Sequence, residues 1–151
     1  MKAVIQRCLS SSVIADGVPA GSIEKGLLVL LGVTEEDTSA QAELLAKKVA
    51  ALRIFCDEND KMNLSVSDIG GSVLAVSNFT LCADSKKGNR PSFTFAMEPK
   101  RANELYEEFC SEIQNLGIEV QKGVFGADMQ VSMVGDGPVT IVLDTDIWSK
   151  K

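Results

Sequence analysis

The chain has no histidine among its 151 residues. That removes the commonest general base and every Ser-His or Cys-His nucleophile pair. Any catalysis must therefore use hydroxyls, backbone amides, carboxylates or the substrate itself. Long apolar runs are missing too. The longest, residues 27–33, is a strand's length and too short to span a bilayer. Met1-Lys2-Ala3-Val4 lacks the layout of a secretory signal. These absences predict a soluble, cytoplasmic protein with no membrane partner. Glycine-rich phosphate loops of the G-x-G-x-x-G and G-x-x-x-x-G-K-[ST] kinds are absent. Asp57, Glu58, Asn59 and Asp60 start like a calcium loop, but the spacing fails and no glutamate closes it. The four cysteines, Cys8, Cys56, Cys82 and Cys110, form no Cys-x-x-Cys pair. Without histidine a zinc site would need all four, and their spacing gives no sign of it. They read as buried or partly buried reduced thiols, with no metal.

What is present is enough for one folded domain, residues 1–151. Apolar residues make up 45% of the chain, which argues against disorder. Net charge is -6, which argues against nonspecific nucleic-acid binding. The charge is unevenly spread. Lys86, Lys87, Arg90, Lys100 and Arg101 lie close together, and Glu98 is the one acid among residues 86–101. Such a cluster is ordinarily a solvated surface, but it can also hold one stretch of phosphate backbone.

Hydrophobic periodicity orders the elements. Residues 1–8 and 12–15 read as strands, and Asp16-Gly17 signals a hairpin into residues 18–23. The uniformly apolar run 27–33 reads as a strand buried on both faces. Thr38 and Gln41 form a capping box ahead of Leu45, Val49 and Leu52 on one helical face. Residues 56–72 are polar and read as a long loop. Residues 73–79 form a strand, and residues 83–98 a second long loop of the kind that is often functional. Pro99 opens and Gly117 ends a helix whose stripe is Leu105, Phe109, Ile113 and Leu116. Strands at 118–121, 129–134 and 139–143 complete seven or eight strands and two long helices.

Two short motifs carry the chemistry. Ser77-Asn78-Phe79-Thr80-Leu81 sits at the end of a strand, where hydroxyls and free amides can face a ligand. Thr80 as a nucleophile would need a base, and the sequence offers none nearby. Gly135-Asp136-Gly137-Pro138-Val139-Thr140 lies between two strand-like runs. Gly-Pro is ordinarily a turn. Here it could instead set two backbone carbonyls along one wall of a cleft.

These motifs, in this order, resemble the bacterial-type D-aminoacyl-tRNA deacylases. The likeness also runs through Val4-Ile5-Gln6-Arg7, the strand after Gly26, residues 87–93, Phe125-Gly126-Ala127 and Met129-Gln130-Val131. Two departures stand out: Asn78 where the family usually has glutamine, and Gly135 where it usually has asparagine. The resemblance implies a single-domain α/β fold in β/β/α layers, with barrel-like sheets and two long helices. It implies a homodimer with its active site at the subunit interface and a cis Gly137-Pro138 bond inserted into the partner's pocket. Arg7 would hold that motif. Ser77, Asn78, Phe79 and Thr80 would form the catalytic segment, and Phe125, Met129 and Thr140 would contact substrate. Lys86, Lys87 and Arg90 would bind tRNA. The implied substrates are D-aminoacyl-tRNA and glycyl-tRNA, cleaved at the ester without a metal or organic cofactor. Two other readings stay open: an esterase in which Thr80 itself attacks, and a non-catalytic aminoacyl-tRNA or RNA-binding module of the same fold.

Overall fold

The computed structural model describes residues 1–149. The last two residues of the expected domain, 150 and 151, lie outside the described residues. The element order is β1 (Lys2–Ala15), β2 (Val18–Ile23), β3 (Gly26–Gly32), α1 (Ser39–Ala51), β4 (Phe55–Cys56) and β5 (Met62–Leu64). Then come β6 (Ser72–Ser77), a 3-10 turn (Phe79–Cys82), α2 (Pro99–Asn115), β7 (Glu119–Lys122), β8 (Met129–Asp144) and α3 (Asp146–Ser149).

The long strand β1 organises the sheet. One edge pairs with β3 from Lys2↔Gly32 to Cys8↔Gly26, then with β2 from Ser11↔Ile23 to Ala15↔Val18. The other edge pairs antiparallel with β8 along its length, from Lys2↔Asp144 to Ala15↔Met129. Asp16 and Gly17 make the β1–β2 turn with φ of 48° and 80°, the left-handed pair that a two-residue hairpin demands. Beyond β3 the sheet turns parallel: β3 pairs with β6, and β6 with β7. The sheet then curls back on itself. A Cβ at Gly21 would come within 2.8 Å of the Lys122 carbonyl oxygen, so glycine lets β2 close on β7. The result is one α/β domain with a nearly closed, barrel-like sheet.

The helices cover one face of that sheet. Thr38 and Gln41 form the reciprocal capping box at the start of α1. Pro99 opens α2, and the Glu98 carboxylate accepts from the Lys100 and Arg101 amides. Leu45 and Val49 from α1, with Leu105, Phe109 and Ile113 from α2, pack on Ile5, Val29, Leu31 and Ala75. The N-terminal ammonium of Met1 is buried under this edge, 2.7 Å from the Asp37 carboxylate. Among the described residues no helix is long and apolar enough to cross a membrane.

The structure differs from the sequence expectations in five places. Residues 1–15 form one strand, because the polar Ser10-Ser11-Ser12 stretch keeps its β8 partners. The expected loop 56–72 contains a small hairpin, with β4 paired to β5 and Asp60 at φ 58° between them. β8 is also continuous, so the Gly-Pro motif lies inside a strand. Leu116 falls at the end of α2 and is exposed, since the helical stripe has run past the sheet. Cys56 is exposed on the short β4 strand, while Cys8, Cys82 and Cys110 are buried.

Candidate active site

The three parallel strands β3, β6 and β7 end on the same side of the sheet, where neighbouring chains diverge. Open parallel sheets bind ligands at such carboxyl ends. The parting of β6 and β7 is fixed from below. Their last pair is Ala75↔Lys122. The Ala75 carbonyl then accepts from the Gly123 amide at 3.2 Å and from the Tyr106 hydroxyl at 2.7 Å. Burial pushes the Tyr106 phenol up, so it stays a donor at any ordinary pH. Beyond this point a cavity of about 880 Å³ opens.

Ser77, Asn78, Phe79 and Thr80 line one wall of the cavity. Here β6 ends and the chain turns at once into the 3-10 helix. The Asn78 amide donates to the Leu31 carbonyl at 2.7 Å, which ties the turn to the end of β3. Asn78 supplies no side-chain cap, so the amides of Phe79 and Thr80 open the turn uncapped. The Thr80 hydroxyl donates to the Asn78 side-chain oxygen. Phe79 meets Phe93 edge to face, with ring centroids 5.0 Å apart. Phe125 and Met129 stand across the cavity on the segment that follows β7.

The second motif is built differently. Gln6 pairs with Thr140 and Cys8 with Gly135, so Arg7 alone stands opposite residues 136–139. The extra residues bulge out of the β1–β8 ladder. Gly137 takes φ 123°, a conformation that favours glycine, and the Gly137-Pro138 bond is cis. A Cβ at Gly137 would lie 2.8 Å from the Val139 amide nitrogen and 3.3 Å from Arg7 Nη2. Arg7 is buried and reaches across the bulge. Its Nε donates to the Asp136 carbonyl at 3.2 Å and lies 3.2 Å from the Asp136 carboxylate. Its Nη1 donates to the Ile54 carbonyl at 2.7 Å and contacts the Cys56 sulfur at 3.8 Å. One guanidinium thus fastens the motif backbone to the chain just after α1.

Against known proteins, the family model described as D-Tyr-tRNA(Tyr) deacylase matches residues 4–144. The chain belongs to the D-Tyr-tRNA(Tyr) deacylase family. It is an enzyme of the hydrolase class that this family represents. The D-aminoacyl-tRNA deacylase of Koribacter versatilis (strain Ellin345) is 57% identical over 145 residues, covering 96% of this chain and 97% of that protein. The protein of the same name from Rhodopirellula baltica is 55% identical, covering 95% and 99%. A solved structure titled "c-Myc DNA Unwinding Element Binding Protein" superposes with a TM-score of 0.89 at 40% identity, covering 95% of this chain and 98% of that one. A "probable eukaryotic D-amino acid tRNA deacylase" shares the fold, with a TM-score of 0.81 at 15% identity, covering 94% and 97%.

Within this deacylase-family chain, the expected site residues fall into three groups. Ser77, Asn78, Phe79, Thr80, Phe125 and Met129 share the cavity. Arg7, Gly137 and Pro138 gather at the bulge, and neither they nor Thr140 line the cavity of their own chain. Lys86, Lys87 and Arg90 are exposed on loop 83–98, away from the cavity lining. That loop is pinned by bridges Asp84↔Ser92 and Thr34↔Ala96. Sequence reading missed Gln6, Leu30, Val76 and Tyr106 as cavity residues. For Leu30 and Val76 the signal existed, since a strand buried on both faces must present alternate residues to whatever lies behind the sheet. Tyr106 carried a weaker signal, as the one tyrosine of the chain inside an apolar helical stripe.

Proposed function

We propose that the protein hydrolyses the ester of D-aminoacyl-tRNA, releasing the D-amino acid and tRNA. The observation that carries this reading is the cavity at the carboxyl ends of the parallel strands, with Ser77-Asn78-Phe79-Thr80 on its wall. The names of the relatives support the same chemistry.

Water attacks the ester carbonyl, and the negative charge develops on the carbonyl oxygen. The uncapped amides of Phe79 and Thr80 stabilise that oxyanion, a role worth roughly 3 kcal/mol per donor. The bond to the ribose 3′ oxygen then breaks, and that oxygen takes up the proton that the attacking water gives up. The neighbouring 2′-hydroxyl assists the water, which accounts for an esterase without histidine. No metal or organic cofactor enters this scheme. In this scheme Thr80 positions rather than attacks, since the Asn78 amide oxygen that accepts its hydrogen bond is too weak a base to remove the proton.

Chirality is read by the second motif. Two copies of the chain associate so that Gly137 and Pro138 of one enter the cavity of the other. Both residues are exposed and stand outside their own cavity. The apolar strip beside them, Val131, Met133 and Val134, is exposed as well and is the surface such a homodimer would cover. The inserted carbonyls leave room for a hydrogen but clash with a side chain. Inverting the α-carbon swaps those two groups, so L-amino acids are excluded by repulsion. Glycine has no side chain and passes, which makes glycyl-tRNA charged on tRNA-Ala a second substrate. Arg7 keeps the carbonyls aimed. Phe125, Met129 and Thr140 contact substrate, and Lys86, Lys87 and Arg90 hold tRNA phosphates in the cytoplasm.

The test is hydrolysis of matched D-Tyr-tRNA and L-Tyr-tRNA by the purified protein with EDTA present. Release from the D-ester alone is expected. Equal release from both would sink the carbonyl wall. Binding of a D-aminoacyl-tRNA analogue without turnover would favour the binding-module reading.

A further inference from the structure

We infer that Tyr106 is a positioning residue for the deacylation: its hydroxyl fixes the fork from which both walls of the cavity spring, and so aims the Phe79 and Thr80 amides. This inference rests on the deacylase reading of the cavity.

The two edges of β6 are held unequally. Toward β3 the pairing runs on through Leu30↔Val76 to Leu31↔Ser77, and the Asn78 amide adds a bond to the Leu31 carbonyl at 2.7 Å. Toward β7 the pairing stops at Ala75↔Lys122, and the last bond runs from the Gly123 amide to the Ala75 carbonyl at 3.2 Å. Beyond it, no backbone hydrogen bond joins residues 76–80 to residues 124–129 among the described residues. One cavity wall starts at Val76, next to Ala75, and the other at Phe125, just past Gly123. Their separation is therefore set at the fork.

Tyr106 stands at that fork. It is fully buried on α2. Its hydroxyl donates to the Ala75 carbonyl at 2.7 Å, and the Gly123 amide lies against the phenol oxygen. Its ring leans on the second wall, with its centroid 6.2 Å from that of Phe125 and the planes 45° apart. One side chain thus touches the root of one wall and the body of the other.

The fold alone does not call for the hydroxyl. Leu105, Phe109 and Ile113 pack on the same stripe without a side-chain polar atom, and a phenylalanine ring would fill the space of Tyr106. The Ala75 carbonyl already has a partner in Gly123, so losing the hydroxyl would not orphan it. What the hydroxyl adds is direction. A bond from a packed helix holds one carbonyl at the last point where β6 and β7 meet. The Phe79 and Thr80 amides follow within two turns of chain, and a misplacement of about 1 Å at reacting groups can cost about a hundredfold in rate.

Tyr106→Phe keeps the ring and removes the hydroxyl. Phe109→Leu, on the same stripe but outside the cavity lining, controls for loosened packing. Steady-state deacylation of D-Tyr-tRNA, at a temperature where both variants stay folded, is measured with melting temperatures and amide NMR spectra. Tyr106→Phe should lower kcat about tenfold and leave KM within about twofold, as expected when alignment in the transition state is lost. The amide resonances of Phe79, Thr80 and Phe125 should move, while those of Leu45 and Val49 on α1 stay. Phe109→Leu should melt lower than Tyr106→Phe yet keep kcat within about twofold of wild type. Wild-type kcat in Tyr106→Phe overturns the inference. So does a rise in KM alone, which would make Tyr106 a substrate contact, or an equal loss of kcat in Phe109→Leu, which would make the effect one of general packing. If the wild type leaves D-Tyr-tRNA intact, the deacylase reading falls and the spectra still decide this one: unmoved Phe79, Thr80 and Phe125 resonances overturn it.

Discussion

The two faces of the central sheet are built to opposite rules. The helix-facing side is closed. Leu45, Leu105, Phe109 and Ile113 are wholly buried there against Ile5, Leu27 and Val29. The other side has a small cluster, Cys8, Val13, Ile23, Leu28, Leu74 and Val76, and then opens into the cavity. It also leaves Val131, Met133 and Val134 exposed along β8. The same strands supply both sides, because alternate residues point opposite ways. Stability is concentrated on one side, which leaves the other free to hold a large cavity.

The comparison breaks most visibly under truncation. Phe109→Ala on the closed face should cost about 3–5 kcal/mol, because the packed helices cannot collapse into the hole. Leu30→Ala on the open face should cost only about 1–2 kcal/mol, as its side chain already borders a void. Urea unfolding of both variants checks the contrast, and equal losses would mean that the faces do not differ.

Arg7→Leu tests the link between the faces. It removes the donors to Asp136 and Ile54 and leaves their carbonyls without that partner. A loss of roughly 2 kcal/mol in transition-state stabilisation, about thirtyfold in kcat/KM on D-Tyr-tRNA, is expected. Rising activity toward L-Tyr-tRNA in the same variant would sharpen the assignment to chirality. Unchanged kinetics would remove Arg7 from the mechanism.

The thiols give a pH test. Burial pushes Cys110 up to about 12, and Cys8 and Cys82 also lie above their ordinary value of 9.0. Below pH 9 the folded and unfolded chains both keep these protons. Between pH 9 and about 12 the unfolded thiols ionise while the folded Cys110 does not. Unfolding then releases protons, so stability falls as pH rises through that window. Denaturant midpoints at pH 8 and 10 should show the drop. A thiol reagent at pH 8 should titrate Cys56 at once and the other three only on unfolding.

The smallest effect is expected at Thr80. Thr80→Val removes a hydroxyl that the proposed scheme uses only for positioning, so the rate should fall no more than about threefold. A nucleophile would lose roughly a thousandfold or more under the same change. Single-turnover deacylation decides between them.

Much of the layout was legible from local chemistry. The Asp16-Gly17 turn, the Thr38/Gln41 box, the Pro99 start and the apolar run into β3 each act within a few residues, so sequence reading found them. The β4–β5 hairpin was hidden because its strands are too short to show a period. The continuity of β1 and β8 was hidden because each borrows its order from the other. In the cavity, the Ser77–Thr80 wall was found from its hydroxyls and strand end. Tyr106 was missed, because nothing local marks a helical tyrosine whose hydroxyl meets Ala75 across the core.

By itself the sequence determined that this chain folds as an α/β domain and that histidine takes no part. Those facts depend on composition, periodicity and short-range capping. The tertiary structure alone decided that Arg7 faces residues 136–139, that the cavity opens where β6 leaves β7, and that Gln6 lines it. These are contacts between residues far apart in the chain, set by strand register and packing, which no local pattern encodes.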